Sequence, residues 1–227
     1  MPTSTPSCDL LVHGPLTGEE NMAVDARMLE AAVAGQATLR TYQWGAPTVS
    51  LGHFQVTTSA EIPERFENLA VVKRLSGGGA ILHDKELTYS IALPKTHPLC
   101  STPSRIYNEV HECIIELLLD VGITSHLRGD AAFKEKPFLC FGRGDERDIV
   151  IGEHKIAGSA QRRRQGAVLQ HGSILLAQSE YASEFPGIRE LTQKELDPTE
   201  FASKLRPTIY KRLFLNEATP NRNISDS

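Results

Sequence analysis

Long apolar runs are missing from this chain of 227 residues: no stretch approaches the roughly 18 consecutive apolar residues of a membrane span. An excess of one charge is missing too. The 24 basic and 28 acidic residues give a formal net charge of −4, without the strongly basic face of a nucleic-acid binder. Neither a membrane nor nucleic acid is therefore an expected partner. Cysteine is sparse. Cys8, Cys100, Cys113 and Cys140 form no CxxC pair, which excludes a zinc ribbon and a thioredoxin-like motif. The histidines show no ligand spacing that recommends a metal site. Met1 to Cys8 has neither a basic n-region nor an apolar h-region, so no secretory signal is expected. The cytoplasm is the expected compartment, and the scattered thiols are expected to be free there.

What is present is ordinary globular composition, 40% hydrophobic and 23% charged. No linker splits the middle, so one domain over residues 1–227 is expected. Its core runs from about residue 10 to 215, and its polar ends, Met1–Ser7 and Glu217–Ser227, are read as frayed. Met22, Ala26, Leu29 and Val33 recur at helical steps and predict a helix over Glu19–Ala34, stopped by Gly35. Thr38–Trp44 alternates as a strand, Leu39 and Thr41 on one side, Arg40, Tyr42 and Trp44 on the other. Further strands are predicted at Val49–Gly52, Leu69–Leu75, Ala80–His83, Thr88–Leu93, Asp148–Ile151, His154–Ile156 and Ala167–Leu176. Ser104–Val121 carries the best helical stripe (Ile106, Val110, Cys113, Leu117, Val121), with Ser104 as its expected cap and Gly122 as its stop. Asp197–Leu215 reads as a helix kinked at Pro207. The order is α+β (mixed α/β), and the lack of strand–helix alternation disfavours a doubly wound Rossmann sheet.

Four segments could carry chemistry. In Arg74-Leu75-Ser76-Gly77-Gly78-Gly79-Ala80, consecutive glycines between strands permit positive φ and close approach of a ligand to bare N–H groups. Arg74, Ser76 and His83 around them suit a carboxylate, a phosphate or a polar acyl end. It is not a Walker A loop, and a flexible hairpin would also fit the glycines alone. In Lys155-Ile156-Ala157-Gly158-Ser159-Ala160-Gln161 a lysine precedes small residues, suiting either a ligand-binding cation or an exposed hairpin. Gln170-His171-Gly172-Ser173 interrupts an apolar strand, so His171 either faces a cavity or has a buried partner. Cys140 lies in a Gly- and Arg-rich irregular segment where cations favour thiolate. Cys113 reads as core, Cys8 and Cys100 as incidental. The run Arg162-Arg163-Arg164 is a solvated hairpin or a docking patch for an acidic partner.

Taken in order, Asn21–Asp25, Leu39–Trp44, Ser50–Gln55, Arg74–Asp84, Leu87–Ser90, Lys155–Gln161 and Gln170–Leu175 resemble the superfamily of lipoate–protein ligase A, the octanoyltransferases and the biotin–protein ligases. The resemblance covers about residues 10 to 190. It implies a central mixed β-sheet flanked by helices, related to class II synthetase catalytic domains. It implies an acyl chain near the Gly77–Gly79 loop, with Arg74, Ser76, His83, Gly158, Ser159, Ala160 and His171 binding substrate and Lys155 at the reacting carbonyl. In the cysteine-dependent octanoyltransferases that resemble lipoate ligase, the nucleophile lies in a Cys-Phe segment fifteen residues before the motif lysine. Cys140-Phe141 has that spacing from Lys155, which makes Cys140 the expected nucleophile.

The reading implied is an octanoyltransferase that needs no cofactor. Its donor is octanoyl-acyl carrier protein. Its acceptor is a lipoyl-carrier protein, the glycine-cleavage H protein or a dehydrogenase E2 lipoyl domain. The alternatives are the catalytic domain of an ATP- and magnesium-dependent lipoate ligase, for which Arg147-Asp148 offers a ligase-like segment, and a non-catalytic module binding carriers or acyl chains. The tail after Leu215 is too short for the accessory domain many ligases carry, although a bipartite ligase would still fit.

Overall fold

The computed structural model describes residues 7–56, 61–130 and 138–215. The ends read as frayed fall outside the described residues, Ser7 excepted. The chain runs β1 (Cys8–Val12), α1 (Gly18–Val33), β2 (Ala37–Tyr42), β3 (Thr48–Leu51), β4 (Ala70–Lys73), β5 (Ile81–His83), β6 (Glu86–Leu93), α2 (Ser104–Asp120), β7 (His126–Leu127), β8 (Ile149–Ile151), β9 (His154–Arg164), β10 (Ala167–Leu175), α3 (Ile188–Thr192) and α4 (Pro198–Tyr210). A seven-stranded sheet has the order β1-β2-β6-β10-β9-β8-β7; a second sheet has the order β4-β3-β5. Both are mixed. β1 pairs parallel with β2, and β3 with β4, while the remaining neighbours are antiparallel. The expected mixed sheet flanked by helices is therefore present.

Local chemistry sets the helix starts. Thr17 caps α1 reciprocally: its hydroxyl accepts from the Glu20 N–H at 3.3 Å, and the Glu20 carboxylate accepts from the Thr17 N–H at 2.9 Å. Asp197 caps α4 by accepting from the Glu200 N–H at 2.7 Å. Ser104, by contrast, is the first residue of α2 rather than its cap; Pro103 holds that position without a side-chain bond. α4 continues through Pro207, and the backbone leaves α geometry only at a π-helical turn over Lys211–Leu215.

The stripe expected for α1 is rotated. Its buried face is Asn21, Val24, Asp25, Met28, Leu29 and Ala32, not Met22, Ala26 and Val33. The reason is electrostatic. Asn21 and Asp25 turn inward to meet Arg40 of β2, which is fully buried, and apolar periodicity cannot register a buried polar pair. β1 was not expected at all, since CDLLV lacks alternation; it gives half-buried Cys8 a place in the sheet. β9 is longer than expected, because Lys155 to Arg164 continues the strand begun at His154.

Alternation along the strands divides the burial. Leu39, Leu87, Ile91, Val168 and Ile174 face α2 and α4 in the largest apolar cluster, with Ile106, Val110, Ile114, Leu205 and Ile209. Each such side chain contributes roughly 1.5–3 kcal/mol by leaving water. α1 closes the other face through Val24, Met28, Leu29 and Ala32 against Ala92 and Leu169. Beside α1 that face carries Arg40, Tyr42, Thr88, His171 and Ser173, all buried. Among the described residues no helix is long and apolar enough to cross a membrane.

Candidate active site

The smaller sheet delivers the glycine segment. Residues 74–80 leave β4, loop out and re-enter as β5. Arg74, fully buried, organises this loop from beneath. Its Nη2 donates to the carbonyls of Gly77 (2.8 Å) and Gly79 (2.6 Å), and its Nη1 to the Ser50 carbonyl (2.8 Å) and hydroxyl (3.3 Å). Burial lowers the guanidinium to about 10. With the carbonyls drawn inward, the N–H groups of Gly77, Gly78 and Gly79 have no hydrogen-bond acceptor among the described residues. Gly78 sits at φ +97, and a Cβ on Gly52 would lie 2.1 Å from the Gly78 carbonyl oxygen, so both positions demand glycine.

A cavity of about 260 Å³ lies over the loop. Its wall includes Arg74, Gly77, Gly78, Gly79, His83, Cys140, Lys155, Gly158, Ser159, Ala160 and His171. All the residues singled out from the sequence thus meet there except Ser76. Ser76 is buried behind the loop, its hydroxyl 2.5 Å from His171 Nε2.

The wall rests on two buried serine–histidine–carboxylate chains. In one, the Ser50 hydroxyl meets His83 Nε2 at 2.7 Å, and His83 Nδ1 meets Glu86 Oε1 at 2.7 Å. Thr88 and Ser173 donate to the same Glu86 oxygen, and Trp44 stacks on the His83 ring at 3.8 Å. A carboxylate only accepts, so His83 carries its proton on Nδ1 and accepts from Ser50 through Nε2. Burial holds its pKa below the ordinary value. In the other chain, Ser76 meets His171 Nε2, and His171 Nδ1 faces Asp25 Oδ2 at 3.5 Å. Asp25 also accepts from Arg40 and Tyr42, each at 3.2 Å. Both nitrogens of His83 are thus hydrogen-bonded to protein, while His171 is hydrogen-bonded through Nε2 and lies within ion-pair distance of Asp25 through Nδ1.

Cys140 is placed by backbone pairing. The Ala80 N–H donates to the Phe138 carbonyl (3.2 Å), and the Cys140 N–H donates to the Ala80 carbonyl (2.7 Å). This stitches the cysteine segment to the start of β5. A Cβ on Gly78 would stand 4.0 Å from its Sγ, so the sulfur lies at the glycine loop. Of the other thiols, burial pushes Cys8 and Cys113 up to about 12 and also raises Cys100.

Lys155 extends along β9 over Gly158, where a Cβ would lie 2.7 Å from its Cε. Its Nζ pairs with Asp148 Oδ1 at 2.8 Å and lies 5.2 Å from the Phe141 ring centre. The Asp145 N–H donates to the other Asp148 oxygen at 2.8 Å. Burial raises the Asp148 carboxyl above the usual range, and Lys155 opposes that shift. His111 of α2 meets the Ser159 hydroxyl (2.7 Å) and the Arg147 carbonyl (2.5 Å), and burial pushes its imidazole down to about 4.

Sequence reasoning missed Tyr107, His111 and Phe141 on the wall, and Asp25, Arg40 and Glu86 behind it. The available signals were weak ones: an arginine inside an alternating strand, and a histidine beside the apolar stripe of α2. Among the described residues no group of three His, Cys, Asp or Glu side chains is placed to hold a metal ion.

This fold is the one found in lipoate ligase catalytic domains. The structure of a bipartite lipoate protein ligase from Thermoplasma acidophilum matches with a TM-score of 0.63 at 19% identity, over 91% of this chain and 84% of that one. The chain belongs to the lipoyl protein ligase A/B catalytic domain family, whose model matches residues 17–205. It is similar to octanoyltransferase LipM of Halalkalibacterium halodurans, at 32% identity over 219 residues covering 91% of this chain and 75% of the relative. Against octanoyltransferase LipM of Geobacillus kaustophilus the identity is 36%, over 69% of this chain and 60% of the relative.

Proposed function

We propose that this chain is an octanoyltransferase that moves an octanoyl group from an acyl-carrier-protein thioester, through Cys140, to the lysine of a lipoyl-carrier domain in the cytoplasm. One observation carries the reading. Cys140 lies in the same cavity as Lys155, at a loop whose amides have no hydrogen-bond acceptor among the described residues. The similarity to octanoyltransferases LipM supports the acyl group.

Transfer has two displacements. The Cys140 thiolate attacks the thioester carbonyl; the carrier's C–S bond breaks, and the carrier thiolate leaves to take a proton. The acceptor's neutral amine then attacks the new thioester, the bond to Cys140 breaks, and the amine surrenders one proton. Charge developing on the carbonyl oxygen is met by the Gly77–Gly79 amides and by the Lys155 ammonium. Asp148 pairs with Lys155 and fixes its place at the carbonyl, and the Asp148 carboxylate takes the amine proton. His83 is a positioning group, since both its nitrogens are hydrogen-bonded to protein, and His171 holds Ser76 behind the glycine loop.

The test is an intact mass after mixing with octanoyl-acyl carrier protein without ATP, with Cys140→Ala alongside. One octanoyl group on the wild type alone is expected. No adduct, together with acyl-adenylate formed from ATP and the free acid, would make the chain a ligase and Cys140 a bystander.

A further inference from the structure

At the end of β9, Arg162, Arg163 and Arg164 follow one another, and among the described residues none of them has a carboxylate within 4.0 Å. A protein of net charge −4 thus sets three consecutive arginines without an ion pair at one strand end. That place is beside the cavity. Arg162 alternates onto the same side of β9 as Gly158 and Ala160, which line the wall. Its guanidinium lies 6.0 Å from the ring centre of Phe54, which is 77% exposed. Phe54 in turn lies against the glycine loop, its Cδ2 3.7 Å from where a Cβ on Gly77 would stand. Val56 beside it is 90% exposed. An apolar knob and a cationic strand end therefore share one lip, and the path from Phe54 over Gly77 and Gly78 ends at Cys140.

We propose that this lip is the docking surface for the acyl donor: a small acidic protein that carries its acyl thioester on a flexible arm. The inference rests on the octanoyltransferase reading and adds the surface that selects the donor. The arginines steer such a partner to the side from which its arm reaches the sulfur. Phe54 and Val56 supply the apolar contact that charge alone does not.

The test compares donors. Acylation of Cys140 is followed by intact mass with octanoyl-acyl carrier protein and with octanoyl-N-acetylcysteamine, a small thioester with no protein to dock. For Arg162→Glu/Arg163→Glu and for Phe54→Ser, KM for the protein donor should rise by roughly tenfold or more, and the double charge reversal should lose most of the salt dependence. The rate with the small thioester should stay unchanged, which also reports an intact fold. Equal slowing with both donors, no effect with either, or an effect confined to transfer onto the acceptor would overturn the proposal. Binding of unacylated carrier protein, read by fluorescence anisotropy at low salt, decides the surface separately. Should the wild type take octanoyl from neither donor, the activity reading fails, while loss of binding in the charge-reversed variant would still uphold the surface.

Discussion

On the side of the seven-stranded sheet turned toward α2 and α4 stand Leu39, Leu87, Ile91, Val168 and Ile174; one residue along the same strands, on the other side, stand Arg40, Thr88, His171 and Ser173. Both sets are withdrawn from water, yet different forces hold them. The apolar face is stabilised by area removed from solvent, which is non-directional and tolerates exchange of one aliphatic side chain for another. The polar face is stabilised only when every donor finds its acceptor, because an unmatched buried group is expensive. That demand makes it specific. Arg40 has one arrangement against Asn21 and Asp25, and Glu86 has one against His83, Thr88 and Ser173. The cavity of the candidate site opens on the demanding face, and this contrast teaches why: a site must be held in one geometry, and directional bonds do that where apolar contacts do not.

The largest expected effect tests the polar face. Asp25→Ala strands Arg40, Tyr42 and His171 together and should destabilise the protein by about 3–5 kcal/mol in urea unfolding. Replacing Asp25 with Leu and Arg40 with Met in one variant should recover much of that stability, but Cys140 acylation should remain slow because His171 has lost its anchor. Full activity in that double variant would break the comparison. The next effect belongs to the apolar face. Ile114→Ala should lower stability by about 2–4 kcal/mol while leaving the acylation rate of the folded protein unchanged. The smallest is a pH dependence at His111. The unfolded chain takes up this proton near 6.5 and the folded one only near 4, so the stabilisation from the neutral buried ring is complete above pH 6.5 and disappears as the pH falls toward 4. The stability gap between wild type and His111→Gln should therefore narrow across that window, by no more than about 3 kcal/mol; a constant gap would show that the ring does not titrate as its burial requires.

The same division explains what could be read from the sequence. The stripe of α2 and the alternation of β2 and β6 were legible, because apolar periodicity records burial on the apolar face. The glycine loop, Cys140 and Lys155 were legible as motifs and meet in one cavity. The polar face was not. Asp25, Arg40 and Glu86 look like surface residues until their partners are known, and those partners lie far away in sequence. The rotation of α1 and the overlooked β1 have related causes: one depends on a buried ion pair, and the other is a short edge strand whose pairing, not its pattern, defines it.

That separation in sequence also orders the making of the site. Ser76 and His171 are 95 positions apart, and Glu86 and Ser173 are 87 apart. β10, which supplies both distant partners, lies at the centre of the sheet order. A ribosome releases Cys140 before it releases β10, so the nascent chain shows its thiol before the wall that will discipline it exists. Loops this long close late, so the cavity wall is complete only once β10 has paired with β6 and β9.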